Sequence, residues 1–164
     1  MSAVAEVLVN LQAQVRTYRR LLDLSQAQVV ALRDRDVQAV HAILQEIELT
    51  MIDRGVVDQG RTAILGRVAT ELGLPIEAVN VRVIQEHAGD ASLAEGIGAC
   101  SAELKELIGD LDVVVGKNKA LLEQELAMID HMVRGMTRGP RLPTYGNTGA
   151  QDEPARLKLL DMQV

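Results

Sequence analysis

The chain has no Phe, no Trp and only two Tyr in 164 residues. Cores built on large rings are therefore excluded, and the composition suits long packed helices, whose Leu and Ala layers fill seams without rings. A single cysteine, Cys100, rules out an internal disulfide; set among small residues on a helical pattern, it is expected to be a buried structural thiol. Proline is scarce until the end, where three of the four prolines and three of the thirteen glycines lie between Gly139 and Pro154. That density prevents a helix or strand from persisting. Basic residues are outnumbered 17 to 23 and the net charge is −6, which argues against a nucleic-acid surface. The opening MSAVAEVLVNLQAQ has no basic start and no continuous apolar run, so neither a secretory signal nor an integral membrane segment is expected, and the chain reads as cytoplasmic.

What is present is 48% hydrophobic content, drawn largely from Leu, Val and Ala, at helical spacing. Val4, Leu8, Leu11, Val15, Tyr18 and Leu22 step by three and four, which predicts a helix over 3–24. Ser25 and Gln28 have capping-box spacing, so a bend and a short helix over 26–33 are expected. Asp34 or Asp36 caps a second long helix, whose stripe (Val37, Val40, Leu44, Ile47, Met51, Leu65, Val68, Leu72) stops at LGLP. Arg54, Asp58 and Arg61 fall at seam spacing; a solvated stretch is the favoured reading and a charged groove the alternative. Gly55, Gly60 and Gly66 weaken the same stretch. Pro75 opens a short reversing helix, Asp90 or Ser92 caps the last helix, and Ile97, Leu104, Ile108, Leu111, Val115, Leu122, Ile129 and Val133 carry that helix to about residue 137.

These elements define an all-α antiparallel bundle, a coiled-coil-like hairpin of three long helices with short connecting helices. The bundle domain spans 1–137 and a disordered tail spans 138–164. A last helix of some 45 residues outruns its partners at 1.5 Å per residue. Its C-terminal part carries Leu121, Leu122, Leu126, Met128, Ile129, Met132, Val133 and Met136, more apolar surface than a two-helix seam needs, and methionine suits surfaces that repack against a partner.

Catalytic patterns do not assemble. His131 in HMVRG imitates the phosphate-accepting histidine of phosphotransfer bundles, but MTRGPRLP breaks the helix soon after. His41 and His87 have no partner at metal spacing, and no phosphate-binding glycine loop is present, so no enzyme activity, cofactor or metal is expected. A phosphotransfer protein using His131 and a structural coiled-coil adaptor remain the alternatives to a binding role.

Three stretches resemble the FlgN-like flagellar export chaperones: LQAQVRTYRRLLDLSQAQVVALRDRD, with Tyr18, Leu21, Leu22 and Asp36; NKALLEQEL, with Asn118, Leu121, Leu122 and Glu123; and TYGNTGAQ, with Tyr145, Gly146 and Gly149. The resemblance implies a chaperone that holds hook-filament junction (hook-associated) proteins. It carries cargo binding over to Leu121, Leu122 and Leu126, which together with Asn118 of the same motif and Ile129, Met132, Val133 and Met136 of the apolar face make up the candidate cargo surface, and it implies docking at the export gate for Tyr145, Gly146 and Gly149. The export ATPase complex is a further partner on this reading, and homo-oligomerisation is left open.

Overall fold

Ser2 opens the first helix, α1 (Ala3–Arg33), by accepting a hydrogen bond from the Ala5 amide at 3.3 Å, which satisfies one of the orphan donors of the first turn. The computed structural model describes residues 2–137. Of the expected stripe, Val4, Leu11, Val15, Tyr18 and Leu22 join one hydrophobic core, while Leu8 is half-buried against it and Val7 takes the core position beside it. The expected bend at Ser25 is absent, and α1 runs straight through it. No Gly or Pro interrupts residues 19–33, and Leu24, Val29 and Ala31 are buried, so packing carries the helix onward. α1 ends at Asp34, where Arg35 takes the left-handed conformation (φ 56) and the Asp36 amide donates back to the Ala31 carbonyl at 3.0 Å.

Asp36 then caps α2 (Val37–Leu72), accepting from the Ala39 amide at 3.0 Å. α2 runs antiparallel to α1, as successive cross-links show: Arg20 pairs with Glu46, Asn10 donates to the Val57 carbonyl at 3.0 Å, and Arg67 pairs with Glu6. Its C-terminal half closes the seam through Val68, which is fully buried, with Leu65 and Leu72 against the core. Val37 and Leu44 of the expected stripe are exposed instead. The LGLP stop is a C-cap at Gly73, where φ 65 is open to glycine without strain, and the Leu74 amide donates to the Ala69 carbonyl at 3.0 Å.

The charged stretch of α2 matches neither expectation for it in full. Arg54 is not solvated: its side chain is 17% exposed, the guanidinium lies 5.2 Å from the centre of the Tyr18 ring, and Asp58 pairs with it at 3.4 Å. A planar cation over an aromatic face contributes roughly 0.5–2 kcal/mol, more as water is excluded. Burial lifts the Tyr18 phenol above its ordinary 10.0, with the Arg54 charge acting in the opposite direction. The unfolded chain releases this proton near pH 10.0 while the folded state keeps it to higher pH. Stability is therefore full below pH 10.0 and falls as pH rises through the folded value. Chemical denaturation across that window is expected to show the midpoint dropping, and Tyr18→Phe is expected to remove part of the drop; an identical pH dependence in the variant would contradict the assignment.

Gly55, Gly60 and Gly66 do not disturb the path of α2. A Cβ at Gly55 or Gly66, or at Gly109 of the last helix, would meet nothing within 4 Å. Alanine at all three is expected to stabilise the fold by about 2 kcal/mol, raising the melting temperature by roughly 5 °C. Gly73→Ala, at positive φ, is expected to lower it. Thermal unfolding followed by circular dichroism checks both signs.

The reversal after Pro75 is a single 3-10 turn, Ile76–Ala78, and then the six-residue α3 (Val81–Glu86), rather than one short helix. Asn80 makes the break: its backbone is extended (φ −133, ψ 172) and its side chain re-caps the chain by accepting from the Val83 amide at 3.1 Å. α3 anchors through Ile84, which is buried in the core. Asp90 then accepts from the Ser92 amide at 3.0 Å and opens α4 (Ala91–Thr137).

α4 lies parallel to α1 over the first unit of the chain, residues 1–129. Arg19 pairs with Glu103, Asn118 reaches Ser25 and Gln28, and Arg35 pairs with Glu125. Ile97 is fully buried, and Leu104, Leu107 and Val114 continue the seam. Cys100 is half-buried against this core rather than sealed within it. Of the second unit, residues 130–164, the described part is the end of α4, where Arg134 pairs with Asp130 at 2.9 Å.

Candidate functional site

α4 has 47 residues and α1 has 31, and the two begin together at Leu8 and Gly96. The length difference has a local consequence. Asn118 is the last buried residue of α4; among the described residues beyond it, none is buried.

The sequence-selected residues therefore divide. Asn118 is 5% exposed and its amide donates to the Ser25 carbonyl and to the Gln28 Oε1, both at 3.0 Å, so its side chain is committed to the α1 seam. Its own Oδ1 is buried without a hydrogen-bond donor. Leu121 is half-buried and packs on the core. Leu122, Leu126 and Ile129 are 38%, 66% and 55% exposed, three apolar side chains at helical spacing turned to solvent. In the second unit Met132, Val133 and Met136 are each about half exposed or more. Tyr145, Gly146 and Gly149 lie outside the described residues.

Met128 differs from its neighbours. It is half-buried, and its sulfur accepts a long contact of 3.7 Å from the Arg35 guanidinium, the side chain that also meets Glu125 at 3.5 Å. Arg35 is the residue held at positive φ in the α1–α2 turn, a conformation costing roughly 1–2 kcal/mol for an L side chain. An exposed ion pair offsets only part of that.

The charges on 117–134 balance, with Lys117, Lys119 and Arg134 against Glu123, Glu125 and Asp130, so the stretch displays apolar surface without net charge. Covering Leu122, Leu126, Ile129, Met132 and Met136, which are between 38% and 83% exposed, is worth about 1 kcal/mol apiece on average, or about 5 kcal/mol in total. Association costs at least about 4 kcal/mol, so this stretch alone supports weak binding and a tight complex needs contacts beyond it. A second set of exposed apolar side chains, Leu49, Ile52 and Val56 on α2, has no counterpart in the sequence reading; their three- and four-residue spacing is visible, but Met51 of the expected seam lies among them.

His131 is exposed, and among the described residues no group of three or more His, Cys, Asp or Glu is placed to hold a metal ion. No helix among those residues is long and apolar enough to cross a membrane. A helical bundle whose longest helix displays apolar side chains beyond its last buried residue has the make-up of a protein-binding module. The family model for FlgN protein matches residues 1–153, and the chain belongs to that family, the flagellar export chaperones. No curated protein and no solved structure gave a match.

Proposed function

We propose that this chaperone binds hook-filament junction (hook-associated) proteins through the C-terminal part of α4, keeps them from assembling prematurely and delivers them to the flagellar export gate in the cytoplasm. The observation that supports the reading is the exposure of Leu122, Leu126 and Ile129 on a helix whose buried seam stops at Asn118. An amphipathic segment of cargo laid against those side chains would exchange one exposed apolar surface for another, and both would leave water. Cargo that folds as it binds loses chain entropy, which holds affinity to a level that permits release at the gate. Tyr145, Gly146 and Gly149 then serve gate docking, with the ring supplying contact area at low entropic cost. The export ATPase complex is the further partner of this pathway.

The test is capture: the full chain, immobilised, is offered purified hook-associated proteins and, as control, flagellin. Retention of a hook-associated protein alone supports the proposal; retention of neither, or of both equally, would remove it. Tyr145→Ala is expected to leave the melting temperature unaltered while reducing secretion of the cargo.

A further inference from the structure

Apart from the α4 stretch, the first unit contains an open cavity of about 350 Å3, at the lower end of the range of ligand pockets. Its walls come from four directions. Leu11 of α1, Leu65 of α2, Ile76 and Val79 of the turn segment, and Leu104 and Ile108 of α4 make the lining predominantly apolar, with Ile76 45% exposed at the lip.

The polar groups of the lining set the chemistry of an occupant. Gln14 is 2% exposed, and its amide donates to the Asn10 Oδ1 at 2.7 Å, while the Asn10 amide donates to the Val57 carbonyl at 3.0 Å. These donors are turned into the protein and ask nothing of a ligand, so the interior favours apolar groups. The charged side chains of the lining are Arg61, from α2, and Lys105, from α4. Both are exposed cations, neither is in an ion pair among the described residues, and no carboxylate lines the cavity, although the chain as a whole carries a net charge of −6. A positive rim around an apolar hollow on an acidic protein is complementary to apolar side chains flanked by carboxylates.

We propose that this cavity is a second docking site, separate from the α4 stretch, for a partner polypeptide segment that inserts Leu- or Ile-type side chains between α1, α2 and α4 and sets an Asp or Glu against Arg61 and Lys105. The volume takes two or three such side chains, and carboxylates at the rim remain partly solvated, so they contribute chiefly to selectivity and to the rate of encounter. The site draws on no residue beyond Ile108, so its occupancy is independent of the α4 surface.

A peptide-display selection against the full chain tests this, followed by titration of the enriched peptides, synthesised with a fluorophore, against the parent and three variants. The expected outcome is enrichment of peptides combining Leu or Ile with Asp or Glu. Their affinity should fall at least tenfold with Arg61→Glu plus Lys105→Glu. It should fall similarly with Thr62→Trp, which plugs the hollow from an exposed rim position, and should be unchanged by Leu126→Asp plus Ile129→Asp. Unaltered circular dichroism of the rim variants establishes that the loss is local. Peptides insensitive to both rim variants, peptides lost only with the α4 variant, or saturable binding of palmitate with no peptide selected would each overturn the proposal.

Discussion

Replacing Leu126 and Ile129 together by aspartate is expected to weaken capture of a hook-associated protein by about a thousandfold or more while leaving the melting temperature within about 2 °C of the parent. The binding loss combines two terms. The variant forfeits the burial of two side chains now 66% and 55% exposed, about 1 kcal/mol each, and it obliges a partner to desolvate two carboxylates, at about 1–3 kcal/mol each. Together these amount to roughly 4 kcal/mol or more, which is three orders of magnitude in affinity. The stability expectation has a separate basis. Both positions lie beyond the buried seam, which ends at Asn118, and surface substitutions of this kind stay within about 0.5 kcal/mol. Calorimetry and thermal unfolding of the same preparation check the two halves, and a variant that binds as the parent does would detach this stretch from cargo recognition.

Asn118→Asp is expected to do the reverse, unfolding the protein about 10 °C earlier. The native amide donates at 3.0 Å to the Ser25 carbonyl and to the Gln28 Oε1 from a position 5% exposed. A carboxylate there presents oxygen to two acceptors, removes both donors and adds a charge to a buried seam, at a cost of about 3 kcal/mol or more. At 2–4 °C per kcal/mol for a chain of this size, the shift is large. Asn118→Leu, which removes the polar group altogether, is expected to cost less than the aspartate, although it leaves Gln28 without its donor. A variant with unchanged unfolding and lost cargo capture would instead mean that Asn118 meets cargo directly.

Asn118 also shows where sequence reasoning stops. In NKALLEQEL it was grouped with the leucines that follow because the stretch resembles a family motif, yet its hydrogen bonds go to residues about ninety positions away. The same distance explains the misplaced bend. Ser25 and Gln28 have the spacing of a capping box, but they are polar residues buried mid-helix, and the Asn118 amide that meets the Ser25 carbonyl and the Gln28 side chain comes from another element. The spacing of Arg54 allows either a solvated stretch or a charged groove, and gives no hint that a ring on α1 lies beneath it.

Local signals were legible where the chemistry is local. Asp36 and Gly73 mark the two ends of α2 through hydrogen bonds made within four or five residues. The surplus of α4 is legible from length alone, since a last helix of some 45 residues at 1.5 Å per residue outruns its partners; the structure gives it 47 residues beside the 31 of α1. The cavity between α1, α2 and α4 is not legible, because its lining draws a few residues each from segments spread over a hundred positions.

The central claim is that the far part of α4 is completed by another polypeptide. Hydrogen exchange of the full chain, alone and saturated with a hook-associated protein, measures this directly at the backbone amides of 119–137. The account predicts fast exchange there in the free protein and strong protection in the complex, with the α1 and α2 seam little changed. Equal exchange in the two states, or protection confined to residues before Asn118, would contradict it.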